Sequence, residues 1–217
     1  EGIGANGGGG TFFENAALAL SGTIFSGNIA AGHGGGLYLL NSDSTMQDCD
    51  FTGNSAGNDG GAVCFVGSAG QLNECEVSGN ETFNDGGGIA CVSGSTVQLT
   101  NCLIELNQIT GGATNAYGGG LYGYQSDIHL SGCEIRSNTS PAVGGGAYFH
   151  GGSSTVDTTV ACGNTPDQIS GTYADNGNNT IRTNCEYWGV DDLYDDDPNA
   201  DFDNIQAAVD AASDGDT

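Results

Sequence analysis

The chain has 217 residues, with 27 acids against two basic residues, Arg136 and Arg182, and a formal charge of −25. Such a surface repels nucleic acid and anionic membranes, because phosphate binding depends on Lys and Arg, so nucleic-acid binding is excluded. Anionic polysaccharides are repelled as well, unless divalent cations bridge the two. No window has the continuous apolar run of a membrane span and no signal peptide is present, so direct membrane insertion is not expected. The chain starts in mid-repeat at Glu1-Gly2-Ile3-Gly4 without an initiator Met, as expected of a processed product or a piece of something longer. Eight Cys, an even count, permit disulfides if the protein is exported.

A repeat dominates the chain from its first residues. Gly8-Gly9-Gly10 precedes Gly34-Gly35-Gly36, Gly60-Gly61, Gly86-Gly87-Gly88, Gly118-Gly119-Gly120 and Gly144-Gly145-Gly146. Beside these runs stands a ladder of Asn28, Asn54, Asn80, Asn107, Asn138 and Asn164, in steps of 26, 26, 27, 31 and 26. Periods in this range signal solenoids, in which each repeat is buried only by its neighbours.

Five residues before each Asn lies the column Thr23, Cys49, Cys75, Cys102, Cys133, Thr159. Apolar columns flank it at Leu20, Met46, Leu72, Leu99, Leu130, Val156 and at Phe25, Phe51, Val77, Ile104, Ile135, Ala161. A short apolar stretch, such as Val63-Cys64-Phe65-Val66, follows each Gly run. Period-2 stretches separated by Gly or Asn turns predict about three short strands per coil, with no helical periodicity. The expected fold is all-β: a right-handed, single-stranded parallel β-helix of about six coils, with equivalent side chains ~4.8 Å apart. Asn suits the turn because it tolerates the left-handed conformation and can hydrogen-bond coils above and below.

Phe25-Ser26-Gly27-Asn28 and Phe51-Thr52-Gly53-Asn54 match F-x-x-N, and Gly60-Gly61-Ala62-Val63 matches G-G-A-[ILV]. Over about residues 8–165 this pair resembles the repeats of chlamydial polymorphic outer membrane proteins, within the pectin-lyase-like β-helix superfamily. The resemblance implies an extracellular passenger acting as an adhesin; that family's membrane β-barrel has no counterpart here. Cys162 to Ile169 with Asp175 to Ile181 resembles the closing coil of bacterial secreted β-helix proteins.

The pattern changes after Cys185. Residues 1–186 form the expected β-helix, 187–202 an acidic linker and 203–217 a helical segment. Asp203 is a good N-cap, with Gln206 at capping-box spacing, and Phe202, Ile205, Val209 and Ala212 share one face. Ile205 to Thr217 resembles the start of pectin-lyase-like domains, where an amphipathic helix caps the rod. That likeness implies head-to-tail continuation through a following module or a neighbouring copy.

Candidate chemistry is sparse. Asp48 and Asp50 flank Cys49, and Glu74 and Glu76 flank Cys75 one coil later. All four are expected to point outward from the same strand pair, where they either bind Ca²⁺ through oxygen ligands or stay solvated. Asp59 and Asp85 form a second acidic ladder in the Gly turn with the same two readings. Ca²⁺ is the one candidate cofactor. Cys49, Cys75, Cys102 and Cys133 are expected as a buried thiol stack, adjacent-coil disulfides being the alternative. Cys64 and Cys91 should face opposite sides of their strands, and a Cys162–Cys185 disulfide would pin the last coil.

His33, in Gly32-His33-Gly34, lacks the Arg-x-Lys of polygalacturonase-type hydrolases. His129 and His150 are expected at the surface, and the two Arg are too far apart in sequence to converge. The sequons at Asn80, Asn138 and Asn178 are expected to be structural where they coincide with the ladder. The expected function is that of a non-catalytic, secreted or cell-surface structural and adhesive module. Its partners would be further copies or modules of itself and host-cell or matrix glycans. The alternative is a carbohydrate-active enzyme, a polysaccharide lyase or glycoside hydrolase.

Overall fold

In a computed structural model the structure describes residues 3–4, 7–111 and 114–185, with side chains from Gly7 onward. The acidic linker and the helix expected over 203–212, with Phe202, Ile205, Val209 and Ala212, lie outside these residues.

The described chain winds into a parallel β-solenoid of about six turns in which every named strand pairing is parallel. The first sheet runs from Thr11–Glu14 through Leu37–Leu40, Val63–Val66, Ile89–Val92, Leu121–Tyr124 and Ala147–His150 to Ile169–Gly171. A second runs from Ala17–Ser21 to Ala174–Asp175, and a third from Ile24–Ser26 to Thr180–Arg182. Two-residue strands such as Ser55–Ala56 and Glu81–Thr82 build a fourth ladder, so a coil has four extended segments where periodicity predicted about three.

Alternation decides which side chains enter the core. In Leu37–Leu40 the two odd residues are buried, and in register with them lie Val63 and Phe65, then Ile89 and Cys91. Met46, Leu72 and Leu99 fill the second sheet's inner face, while Phe51, Val77, Ile104 and Ile135 fill the third's. Phe25 and Phe51 stack at 4.9 Å with rings 1° from parallel, as identical residues one coil apart can. The Cys register holds too: Cys64 aligns with Ala90 and Cys91 with Phe65, so Cys91 joins the interior and Cys64 the outer face.

Each coil bends at four corners, and a residue with positive φ stands at each. The four columns include Gly60 and Gly86, Asn41 and Gln125, Asp48 and Glu74, and Gly53 and Gly79. Here the structure corrects the sequence reading of the Asn ladder. The left-handed residue is the one before each ladder Asn (Gly27, Gly53, Gly79, Leu106, Ser137, Gly163), and no ladder Asn has positive φ. The Asn side chain instead satisfies backbone groups that the corner turns inward. Asn54 donates from its backbone N and Nδ2 to Asn80 Oδ1 at 2.8 and 3.0 Å, and Nδ2 also reaches the Phe25 carbonyl at 2.9 Å. The pattern repeats to Asn164, whose N and Nδ2 donate to Gln168 Oε1 at 3.0 and 2.8 Å; Gln168 thus ends the ladder.

Two more polar ladders occupy other corners. Ser42 N donates to Ser68 Oγ, Ser68 N to Ser95 Oγ and Ser95 N to Ser126 Oγ, at 3.0–3.2 Å. In the Thr/Cys column each side chain donates to the carbonyl two residues back: Thr23 to Ser21, Cys49 to Gln47, Cys75 to Asn73, Cys102 to Thr100, Cys133 to Ser131 and Thr159 to Asp157. Buried polar groups are costly unless paired, at about 1–3 kcal/mol each, so these ladders allow tight corners to sit against an apolar core.

Glycines separate into two kinds. A Cβ on Gly87 would collide with the Gly119 carbonyl of the next coil, whereas Gly79 has open space around it and φ of 63°. Gly87→Ala should therefore destabilise well beyond the ~1–2 kcal/mol that a left-handed Ala costs at Gly79. Asn80→Ala, which strips both directions of the amide ladder, should cost several kcal/mol. Urea midpoints at unchanged m-value check all three.

Candidate functional site

The outer face of the first sheet is where unusual side chains gather. In register along it stand Phe12, Tyr38, Cys64, Ala90, Tyr122 and Tyr148. Cys64 and Ala90 are fully buried although they point away from the interior, because Tyr38, Tyr117, Tyr122 and Tyr148 pack over them. The next outward column ends in Tyr124 and His150, stacked at 5.4 Å with planes 6° apart. Tyr122 and Tyr148 stack at 6.2 Å and 5°, and Tyr117 lies 4.8 Å from Tyr148. At the other end Tyr38 is flanked by Phe12 at 5.1 Å and His33 at 5.6 Å.

The Gly turn sets carboxylates along one border of this face. Asn84 Nδ2 donates to Asp59 Oδ1 at 2.7 Å, and Tyr117 N donates to Asp85 Oδ1 at 2.7 Å. His33 Nδ1 lies 3.2 Å from Asp59 Oδ2 but makes no aligned hydrogen bond, so the contact is an off-axis electrostatic one. Its Nε2 is 3.0 Å from Asn58 Nδ2 and accepts from that amide. Burial pushes the Asp85 carboxyl up from 3.8 to about 6; the Tyr117 amide works against this and neighbouring Asp59 adds to it. Burial also raises Tyr122 and Tyr38, with Asp59 contributing to both.

The remaining candidates are dispersed. Asp50 and Glu76 are register partners in the third sheet, but Asp48 and Glu74 sit on a left-handed corner, each with φ of 52°, and not on the strand pair the sequence predicted for all four. Glu74 accepts from Gln47 Nε2 at 2.9 Å. Among the described residues no group of three or more His, Cys, Asp or Glu is placed to hold a metal ion. Neither acidic set, Asp48/Asp50/Glu74/Glu76 nor Asp59/Asp85, is gathered into a Ca²⁺ cage, because corner geometry and amide partners direct them individually.

Arg136 contacts Glu105 at 2.8 Å and Glu134 at 3.6 Å, and Arg182 lies two coils along the same outward column of the third sheet. His129 meets Thr155 Oγ1 at 2.9 Å on the second sheet. There a shallow depression of about 400 Å³ is lined by Asp43, Thr45, Gln71, Thr96 and Gln98. Asn80 and Asn138 are fully buried and closed to glycosylation, whereas Asn178 is exposed. Cys162 and Cys185 are joined by a disulfide with Cα atoms 4.9 Å apart, and Cys49, Cys75, Cys102 and Cys133 are free, buried thiols. No described helix is long and apolar enough to cross a membrane.

Sequence reading missed Tyr117 and the aromatic face. The signal available was the 31-residue step between Asn107 and Asn138, the one long coil, whose extra residues deliver Tyr117 to Asp85.

The protonation of Asp85 has a consequence for stability. Between the ordinary carboxyl range and about pH 6 the folded state binds a proton that the unfolded state has lost, so stability falls as pH rises through that window. Asp85→Asn keeps an acceptor for Tyr117 N and removes the titration. Its urea midpoint should be flatter between pH 4 and 6 than that of the wild type.

A family model described as the right handed beta helix region matches residues 2–185. No curated protein and no solved structure matches the chain.

Proposed function

The chain belongs to the right-handed beta-helix family, and from that premise we propose a non-catalytic, secreted or cell-surface module whose aromatic face docks a neutral glycan. The observation that carries this reading is the run of near-parallel rings, Tyr122, Tyr148, Tyr124 and His150, on one outward face bordered by Asp59 and Asp85. The C–H faces of sugar rings pack on such platforms, and their hydroxyls donate to carboxylate oxygens. The charge of −25 selects against uronates and sulfated chains, which leaves neutral polysaccharide as the occupant. The resemblance of the repeats to an adhesin family points the same way, and the Cys162–Cys185 disulfide fits an oxidising compartment.

Catalysis has less support. The chain has no Lys, and both Arg belong to the third sheet, so among the described residues no Lys or Arg base and no uronate clamp stands on the aromatic face. The enzyme alternative rests on Asp85, which its raised pKa makes a usable proton donor near Asp59.

Affinity electrophoresis in neutral glucans, mannans and xylans, against pectate and heparan sulfate, tests the reading. Retardation is expected in at least one neutral gel and should fall about tenfold in Tyr124→Ala/Tyr148→Ala, the equivalent of ~1.4 kcal/mol of stacking. Retardation confined to anionic gels would sink the proposal. Release of reducing ends or unsaturated products, lost in Asp85→Asn, would replace it with the enzyme.

A further inference from the structure

We propose that the interior thiol column Cys49–Cys75–Cys102–Cys133 is a binding site for a soft monovalent cation, Cu(I), held in linear two-coordinate fashion between thiolates of adjacent coils. The four thiols are free and at most 2% exposed. All four point the same way, since each donates to the carbonyl two residues back. Cys75, Cys102 and Cys133 also reach carbonyls of the preceding coil, on Met46, Leu72 and Leu99. The strands on either side hold the column in register, with Gln47, Asn73, Thr100 and Ser131 before it and Asp50, Glu76, Leu103 and Glu134 after it.

Register fixes the spacing, and the spacing selects the chemistry. In-register side chains one coil apart keep their Cβ atoms at about the strand separation, ~4.8 Å. A disulfide wants Cβ atoms ~3.5–4.5 Å apart, so pairing here would require the coils to shift. Cys162 and Cys185 do pair, and they are out of register, since the strand neighbour of Cys162 is Arg182. Two metal–thiolate bonds, ~2.3 Å each for zinc and somewhat shorter for two-coordinate Cu(I), span nearly the coil spacing, so the two sulfurs need only lean toward each other. Tetrahedral zinc does not fit, because the sulfurs run in a line and converge on no centre, and among the described residues no group of three ligands is placed to hold a metal. Paired thiolates on a line suit Cu(I), which soft sulfur ligands select.

On binding, each thiol releases its proton to solvent and keeps its sulfur electron pairs for the metal, with no change in oxidation state. Four thiols leave three gaps. Three cations against four thiolates give a complex with a single net negative charge, far less costly to bury than separate thiolates. Because the column is closed to solvent, loading accompanies folding or coil opening.

The natural column supplies the control, since Thr23 and Thr159 stand in it and make the same bond to the carbonyl two residues back. The full chain is refolded anaerobically with Cu(I) and a non-thiol reductant, washed with a Cu(I) chelator, and analysed for copper per chain and by X-ray absorption. Wild type should retain up to one Cu(I) per gap, with two sulfurs at digonal distance. Cys75→Thr/Cys102→Thr and Cys49→Thr/Cys102→Thr leave no adjacent pair and should fall to background. Cys49→Thr/Cys75→Thr should keep the Cys102–Cys133 gap, and Cys64→Ala/Cys91→Ala should match wild type. Absence of retained copper in wild type overturns the proposal. So does equal retention in the variants without adjacent pairs, or a spectrum of three or four sulfurs.

Discussion

Everything in this solenoid depends on how a coil turns its corners. Extended chain closes into a coil only if it bends sharply, and here a residue of positive φ stands at every bend. Each bend directs backbone groups toward the apolar interior, where an unpaired one costs more than a typical contact contributes. Small polar side chains just after the corners meet that demand. Asn offers its own N–H and Nδ2 to the next Asn; Ser offers its N–H to the next Ser; Thr or Cys closes onto its own strand. Because the partner is the same residue one coil away, a ladder is stable only when repeated, which explains why the sequence carries so regular a period.

That regularity made the fold legible. The steps of Asn28 through Asn164 and the Gly runs give the solenoid and the inward columns directly, and Phe51, Val77 and Ile104 are buried as their period implies. What escaped had a physical reason. Ser42, Ser68, Ser95 and Ser126 share the Asn spacing, but Ser is common in turns and its ladder is marked by no motif. Gln168 ends the Asn ladder from only four residues away, so no periodic alignment finds it. The conformational role given to the Asn itself belongs to its predecessor, because side-chain demand and backbone demand sit on consecutive residues.

The candidate site was harder to read, since a period reports which residues share a column and not what lies across a face. The calcium sets show the difference. Spacing put Asp48, Asp50, Glu74 and Glu76 together, but the left-handed corner at Asp48 and Glu74 separates them from the strand residues. The aromatic face has the opposite history. Tyr122 and Tyr148 are register partners, yet Tyr117 reaches them only through the one coil that breaks the period. Irregularity, not repetition, locates the outer chemistry.

The thiol column raises the same question inside the solenoid. At its corner Cys donates to the carbonyl two residues back at 3.3–3.6 Å, and Thr does so at 2.9–3.2 Å, so oxygen meets the structural demand at least as well. Burial alone does not call for sulfur either, because Thr159 is completely buried in the same column. A thiol packs more readily against hydrocarbon than a hydroxyl, and that accounts for sulfur at any one coil. It does not account for four consecutive thiols in register, since isolated Cys residues alternating with Thr would pack equally well. Contiguity matters to a ligand that bridges coils, and the strand spacing that strains the shorter disulfide bridge leaves room for the longer one through a metal.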